Sequence, residues 1–171
     1  MPHLPQQHWA ALKAAIAADP VLSLLPHTTD DAVAVATAFN LVASPDYWVW
    51  RTFVTEEEIT AKPSVDGTVW SWSAYIARSQ GERDGWDRIM GRGINPSLTQ
   101  DRSAVADIFS GSANSAPAQR THLNAVGRRK ALRIEKLLIV AGGLGTTASP
   151  STMQFEGQID GDDVQRAWEL P

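Results

Sequence analysis

The chain has 171 residues, 43% of them hydrophobic and 20% charged, with a formal net charge of −4. A chain of this length suits one domain and buries roughly 70% of its unfolded surface on folding. Neither disulfides nor thiolate chemistry is possible without cysteine, and the mild acidity makes no global demand for nucleic acid or an anionic membrane.

The opening MPHLPQQHWAALKAAIAADP lacks the basic start and continuous apolar run of a secretory leader. The longest apolar stretch, LLIVAGGLG, falls far short of a bilayer's width, so we expect a protein made soluble in the cytoplasm with no membrane partner. Pro5 to Ala18 reads as a helix, with Trp9, Leu12 and Ile16 at helical spacing and Asp19-Pro20 as its stop. After the short apolar Val21–Leu25, Thr29 is expected to cap a second helix reaching Val42. Ser44-Pro45-Asp46 breaks the chain, and Tyr47–Val54 is β-prone.

Thr55 followed by Glu58 has the spacing of a capping box, and Pro63 to Gly67 has the composition of a turn. The spacing then predicts one long helix over 68–90, with Trp72, Ile76, Trp86 and Met90 near one face. Gly81 and Gly85 weaken it by about 1 kcal/mol each, or admit a neighbouring backbone closely. A further helix is expected from Ser97 or Thr99 through Phe109, and Gly111–Pro117 reads as a loop of small residues.

A second long helix is predicted over 118–141, its apolar stripe formed by Leu123, Val126, Ile134, Leu137, Leu138 and Ala141, with Gly142-Gly143 as its cap. Met153 to Ile159 then alternates with a strand's period of two, and Asp160 or Asp162 caps a last helix carrying Val164, Ala167 and Trp168. These expectations define a mainly α fold: a bundle of four or five helices over 1–145 and an extended, β-prone C-terminal arm over 146–171.

Charge is segregated along the chain. Arg120, Arg128, Arg129, Lys130, Arg133 and Lys136 face only Glu135 among acids, whereas the tail from Glu156 onward is acidic. Opposite signs on separate elements imply pairing within the chain or between subunits. The same basic run would neutralise phosphates in a non-specific nucleic-acid contact, though it contains no base-reading motif.

Candidate chemistry is sparse. KLLIVAGGLGTTA imitates a dinucleotide fingerprint at Gly143, Gly145 and Ala148, yet too few residues follow for a strand–helix–strand unit, and Pro150 interrupts them. His3, His8, His27 and His122 have no metal-ligand spacing, and Glu56–Glu58 reads as a solvated helix start. Ser71, Ser73 and Ser79 lack a nucleophile context. No catalytic, cofactor or metal residues are therefore assigned. Five of the seven tryptophans fall between Trp48 and Trp86, and aromatics in such density are the material of cores and interfaces.

The runs SPDYWVWRT, DGTVWSWSAYIARSQGERDGW, NPSLTQDRSAVADIFSG, QRTHLNAVGRRKALRIEKLL and TASPSTMQFEG together resemble small proteins of tailed bacteriophages and prophages. The resemblance covers the chain from about Ser44 onward and is closest to head–tail connector (adaptor) proteins of the neck, which bind beneath the portal. It implies a helical structural subunit of the virion, assembled in the host cytoplasm as a ring of about a dozen copies. It also implies an arm docking on the portal or a neighbour, DNA passing through the lumen, and no catalytic residues. On that expectation Arg128, Arg129, Lys130, Arg133 and Lys136 face DNA or acidic neighbours. Met153, Phe155, Ile159, Val164 and Trp168 anchor the arm. A tail-completion, tail-terminator or minor tail protein is the neighbouring alternative.

Overall fold

The computed structural model describes residues 4–113, 115–140 and 142–171. His3, Asn114 of the expected loop and Ala141 at the expected end of the long helix lie outside them. The fold is mainly α, with two small two-stranded antiparallel sheets. It divides into two compact units: one formed by 1–49 together with 130–171, the other by 50–129.

The first unit is assembled from both ends of the chain. A 3-10 turn, Gln6–His8, leads into α1 (Trp9–Ala18), which Asp19 closes as expected. Helix α2 spans Thr29–Phe39, capped by Thr28 rather than Thr29, in a reciprocal box with Asp31. The last helix, α9 (Gly161–Trp168), is capped by Asp160 in a box with Asp163 and packs on α1 and α2. Leu12, Ile16, Val35, Phe39, Phe155, Ile159, Val164 and Ala167 fill the space between them.

Polar groups fasten the distant segments of this unit. The Leu4 N–H donates to Asp163 at 3.1 Å, and Asn40 exchanges two hydrogen bonds with the Ile159 backbone at 2.8 and 3.0 Å. Buried Glu135 accepts the N–H groups of Leu132 (2.8 Å) and Gly157 (3.0 Å). Each of these bonds satisfies a main-chain group that burial removes from water.

The expected extended arm is corrected here. Residues 146–171 return to α1 and α2, so the division at 145/146 does not separate the observed units. The alternating 153–159 segment is a strand only at β4 (Thr152–Met153), paired antiparallel with β3 (Ile139–Val140), with Ile139 opposite Met153. A strand mate thus exists within the chain.

The predicted helix over 118–141 is broken. It consists of α7 (Ala116–Val126), β2 (Arg128–Lys130), α8 (Arg133–Leu137) and β3. Gly127 and the pairing of β2 with β1 (Trp48–Trp50) interrupt it. The chain passes between the two units within these strands. Gly142 and Gly143 turn the chain from β3 towards β4 instead of capping a helix, with φ of 134° and 130°.

The second unit begins after Val49. Helix α3 (Glu56–Thr60) opens with the expected Thr55–Glu58 capping box. The predicted helix over 68–90 is two: α4 (Trp72–Ile76) and α5 (Gln80–Met90), because Ser79 starts a new helix in its own box with Glu82. Helix α6 (Thr99–Ile108) packs on α5 and α7, and α7 on α3. A methyl at Gly85 would meet only an Ile108 side-chain carbon at 3.9 Å, and one at Gly81 would meet nothing within 4 Å, so neither admits a close backbone.

The core of this unit is aromatic. Trp70 and Trp86 stack with centroids 5.0 Å apart, and the Phe109 ring stands edge-on to both at 5.8 and 5.5 Å. Such offset and edge-on pairs add about 0.5–1.5 kcal/mol each beyond the area they bury.

Candidate functional site

The five basic residues expected on one helix are distributed over two elements. Arg128, Arg129 and Lys130 lie in β2, where successive side chains point to opposite faces. Arg133 and Lys136 lie in α8. Arg128 pairs with Asp66, Lys130 with Asp46 at 2.7 Å, and Arg133 with Asp19 at 3.0 Å, each a carboxylate of its own unit. The Asp19 carboxyl sits below its ordinary pKa because the Leu22 and Val21 N–H groups donate to it, with Arg133 adding to the effect. The guanidinium of Arg133 also covers the Phe39 ring at 4.9 Å, and the Lys136 ammonium stands 5.4 Å from the Tyr47 ring. Arg128, Lys130 and Arg133 thus pair inside the chain, with aspartates that lie outside the acidic tail.

The expected arm anchors are also employed internally. Met153, Phe155, Ile159 and Val164 are buried. Trp168 is half-buried, its ring stacked on His27 with centroids 4.3 Å apart. These side chains build the first unit and are not displayed to a partner in this structure.

What the second unit does display was missed. Val69 is 63% exposed, and whereas Trp86 and Met90 are buried, Trp72 and Ile76, expected on the same face as them, are 55% and 64% exposed. They lie one turn apart on α4, a spacing that puts both on one face. The Trp72 ring is held edge-on to Trp70 at 5.8 Å and to Tyr75 at 5.9 Å, so a buried aromatic stack fixes an exposed one. Burial raises the Tyr75 pKa, and the hydrogen bond from its hydroxyl to Asp87 (3.0 Å) adds to the shift.

Two buried polar arrangements in this unit resemble chemistry and serve structure. His122 is fully buried between the Thr68 hydroxyl (3.1 Å, at Nδ1) and the Ile59 carbonyl (2.8 Å, at Nε2). Since a carbonyl only accepts, Nε2 carries a proton, and in the neutral ring Nδ1 is then the acceptor for the Thr68 hydroxyl. The relay ends at Ser64, whose oxygen lies 2.6 Å from Thr68 Oγ1 and accepts the Asp66 and Thr68 N–H groups. It joins the 64–68 turn to α7 and α3.

The second arrangement surrounds Arg102. Its guanidinium lies 4.8 Å from the Trp50 ring centroid, donates to Thr99 at 3.0 Å, and has its pKa lowered by burial. The adjacent cavity, lined by Val54, Ile94, Pro96 and Leu123 among others, measures about 20 Å³. That is space for about one water.

Among the described residues, no group of three or more His, Asp or Glu side chains is placed to hold a metal ion, and no helix is long and apolar enough to cross a membrane. Compared with known proteins, the chain matches no family model, no curated protein sequence and no solved structure.

Proposed function

We propose that this chain is a structural protein of the phage virion, a subunit of the head–tail connector that forms a ring beneath the portal. The observation that carries the reading is the exposed apolar face of α4. Leaving a large side chain such as Trp72 or Ile76 in water forgoes about 1.5–3 kcal/mol available on burial. Two large apolar side chains exposed on one helix face are the material of a protein contact. The resemblance of the runs from Ser44 onward supplies the setting, and the aromatic stack beneath Trp72 supplies the rigidity that a repeated contact requires.

In this reading the chain contributes shape and binding surface, and carries out no reaction. DNA passing through the lumen would meet a ring whose basic residues are already largely matched: Arg128, Lys130 and Arg133 each pair with an aspartate. The docking surface for the portal is therefore sought on α4, with the buried tail anchors holding the subunit together.

The test is mass measurement of the purified chain, alone and mixed with the portal protein of the same phage. A ring, or a stoichiometric complex with portal, is expected. Trp72→Ala with Ile76→Ser should weaken binding to the portal protein while leaving the far-UV CD spectrum unchanged. A chain that stays monomeric in both settings would overturn the proposal, as would portal binding indifferent to the double substitution.

A further inference from the structure

The first unit carries two unlike surfaces at opposite ends of α2. Near its C-terminal end, Phe39, Ala43, Ser44, Arg133, Lys136 and Leu137 line an open cleft of about 400 Å³. Its accessible apolar surface comes from Leu137, and Leu41 and Val42, close in sequence to Phe39 and Ala43, are exposed as well. Arg133 is matched by Asp19. Lys136 forms no ion pair among the described residues; its contact is with the Tyr47 ring. The cleft thus presents a positive charge over apolar surface.

Near the N-terminal end of α2 the signs are reversed. Asp30 and Asp162 are exposed, with no ion-pair partner among the described residues. They belong to neighbouring helices, because Gln165 donates to the Thr29 hydroxyl at 3.3 Å and a methyl at Gly161 would meet a Val33 side-chain carbon at 3.3 Å. Val33 lies between them, itself exposed. This surface presents negative charge around an apolar centre. The adjacent Asp31 is occupied by its box with Thr28, and Arg166 is held over the Trp9 ring at 5.6 Å.

We propose that the cleft of one copy receives the Asp30–Val33–Asp162 surface of the next. The two surfaces match in charge sign and both carry apolar residues, which favours correct over incorrect pairing and speeds encounter. Ten residues of helix, at 1.5 Å each, put the two surfaces roughly 15 Å apart. They are different patches of one chain, so the contact is head-to-tail. A head-to-tail contact repeats and closes into a ring when its rotation permits. The inference rests on the assembly reading above and names a self-contact within it, distinct from the α4 face.

Charge reversal tests it on the full chain by sedimentation velocity across a concentration series, with far-UV CD as the check on folding. The wild-type chain is expected to self-associate, more weakly as salt rises. Lys136→Glu and the pair Asp30→Lys with Asp162→Lys should each weaken self-association by about tenfold or more. An equimolar mixture of the two variants should assemble again in alternation, since the acidic cleft of one meets the basic surface of the other and their unaltered surfaces match as in the wild type. Unchanged association in either variant, or no recovery in the mixture, would overturn this contact. So would a wild-type chain that binds portal protein but never itself, which leaves the assembly reading standing.

Discussion

Gly145 is held by its surroundings from two sides. Its φ of 68° is left-handed, and a Cβ there would overlap the ring of Tyr47. That ring is itself fixed, since the Tyr47 hydroxyl lies 2.8 Å from Ser151 Oγ. Gly145→Ala should therefore destabilise the chain by about 1–3 kcal/mol, read as a lower urea midpoint. Gly81→Ala, in open space on α5, should instead raise stability by up to about 1 kcal/mol in the same titration. The contrast separates a glycine that the fold needs from one that it tolerates. Glu135→Ala belongs with the first kind: it strands the N–H groups of Leu132 and Gly157, at a cost of about 1–3 kcal/mol each if they stay dry.

At the scale of elements, helix starts were the most legible feature, because a cap is local chemistry. Thr55 with Glu58 follows from spacing alone, and Asp160 is one of the two caps, with Asp162, that the sequence offers for the last helix. Ser79 with Glu82 has the same spacing, and overlooking it merged α4 with α5. The strand β2 was not legible: Arg128-Arg129-Lys130 has no β-branched or aromatic residue. Its conformation comes from pairing with β1, some eighty residues earlier in the chain. Leu123, Val126, Ile134 and Leu138 are buried but form no single stripe: Leu123 and Val126 serve the core of one unit, Ile134 and Leu138 that of the other, and Leu137 is exposed. Periodicity cannot reveal that division.

Because capping boxes recur, acid should act on several helices at once. The carboxyls of Asp31 and Glu82 lie below their ordinary pKa values through bonds from the Thr28 and Ser79 side chains and backbones. For Glu58, burial acts upward, yet the Thr55 and Arg51 bonds outweigh it and the net shift is downward. A depressed folded pKa contributes stability above the unfolded value, and that contribution disappears as pH falls through the folded one. Helical CD against urea should thus give a flat midpoint above about pH 5 and a falling one below about 4.5. Thr55→Ala should remove about 1 kcal/mol at neutral pH and flatten part of that acid limb.

At the scale of the whole molecule, the tail changes its meaning. Read as an arm, 146–171 would be dispensable for folding. Read as α9 on α1 and α2, it supplies Phe155, Ile159, Val164 and Ala167 to the first unit's core. Removing 146–171 should abolish the fold of the first unit, with a loss of far-UV CD. The near-UV signal of the Trp70–Trp86 stack should survive, because both rings and Phe109 belong to 50–129. Retention of full helicity after truncation would contradict the packing of α9. The exposed face on α4, by contrast, was hidden from sequence reading because amphipathic spacing reports a stripe without saying whether anything within the chain covers it.

The pairing of β1 with β2 has one more consequence. The Tyr47 carbonyl accepts the Ala131 N–H, and the Gly127 carbonyl accepts the Arg51 N–H, so the chain leaves one unit and re-enters it through adjoining strands. A short hairpin turn could bridge that gap with little entropic penalty. The segment 50–129 is in this sense a cassette, exchangeable without redesigning the unit that carries it.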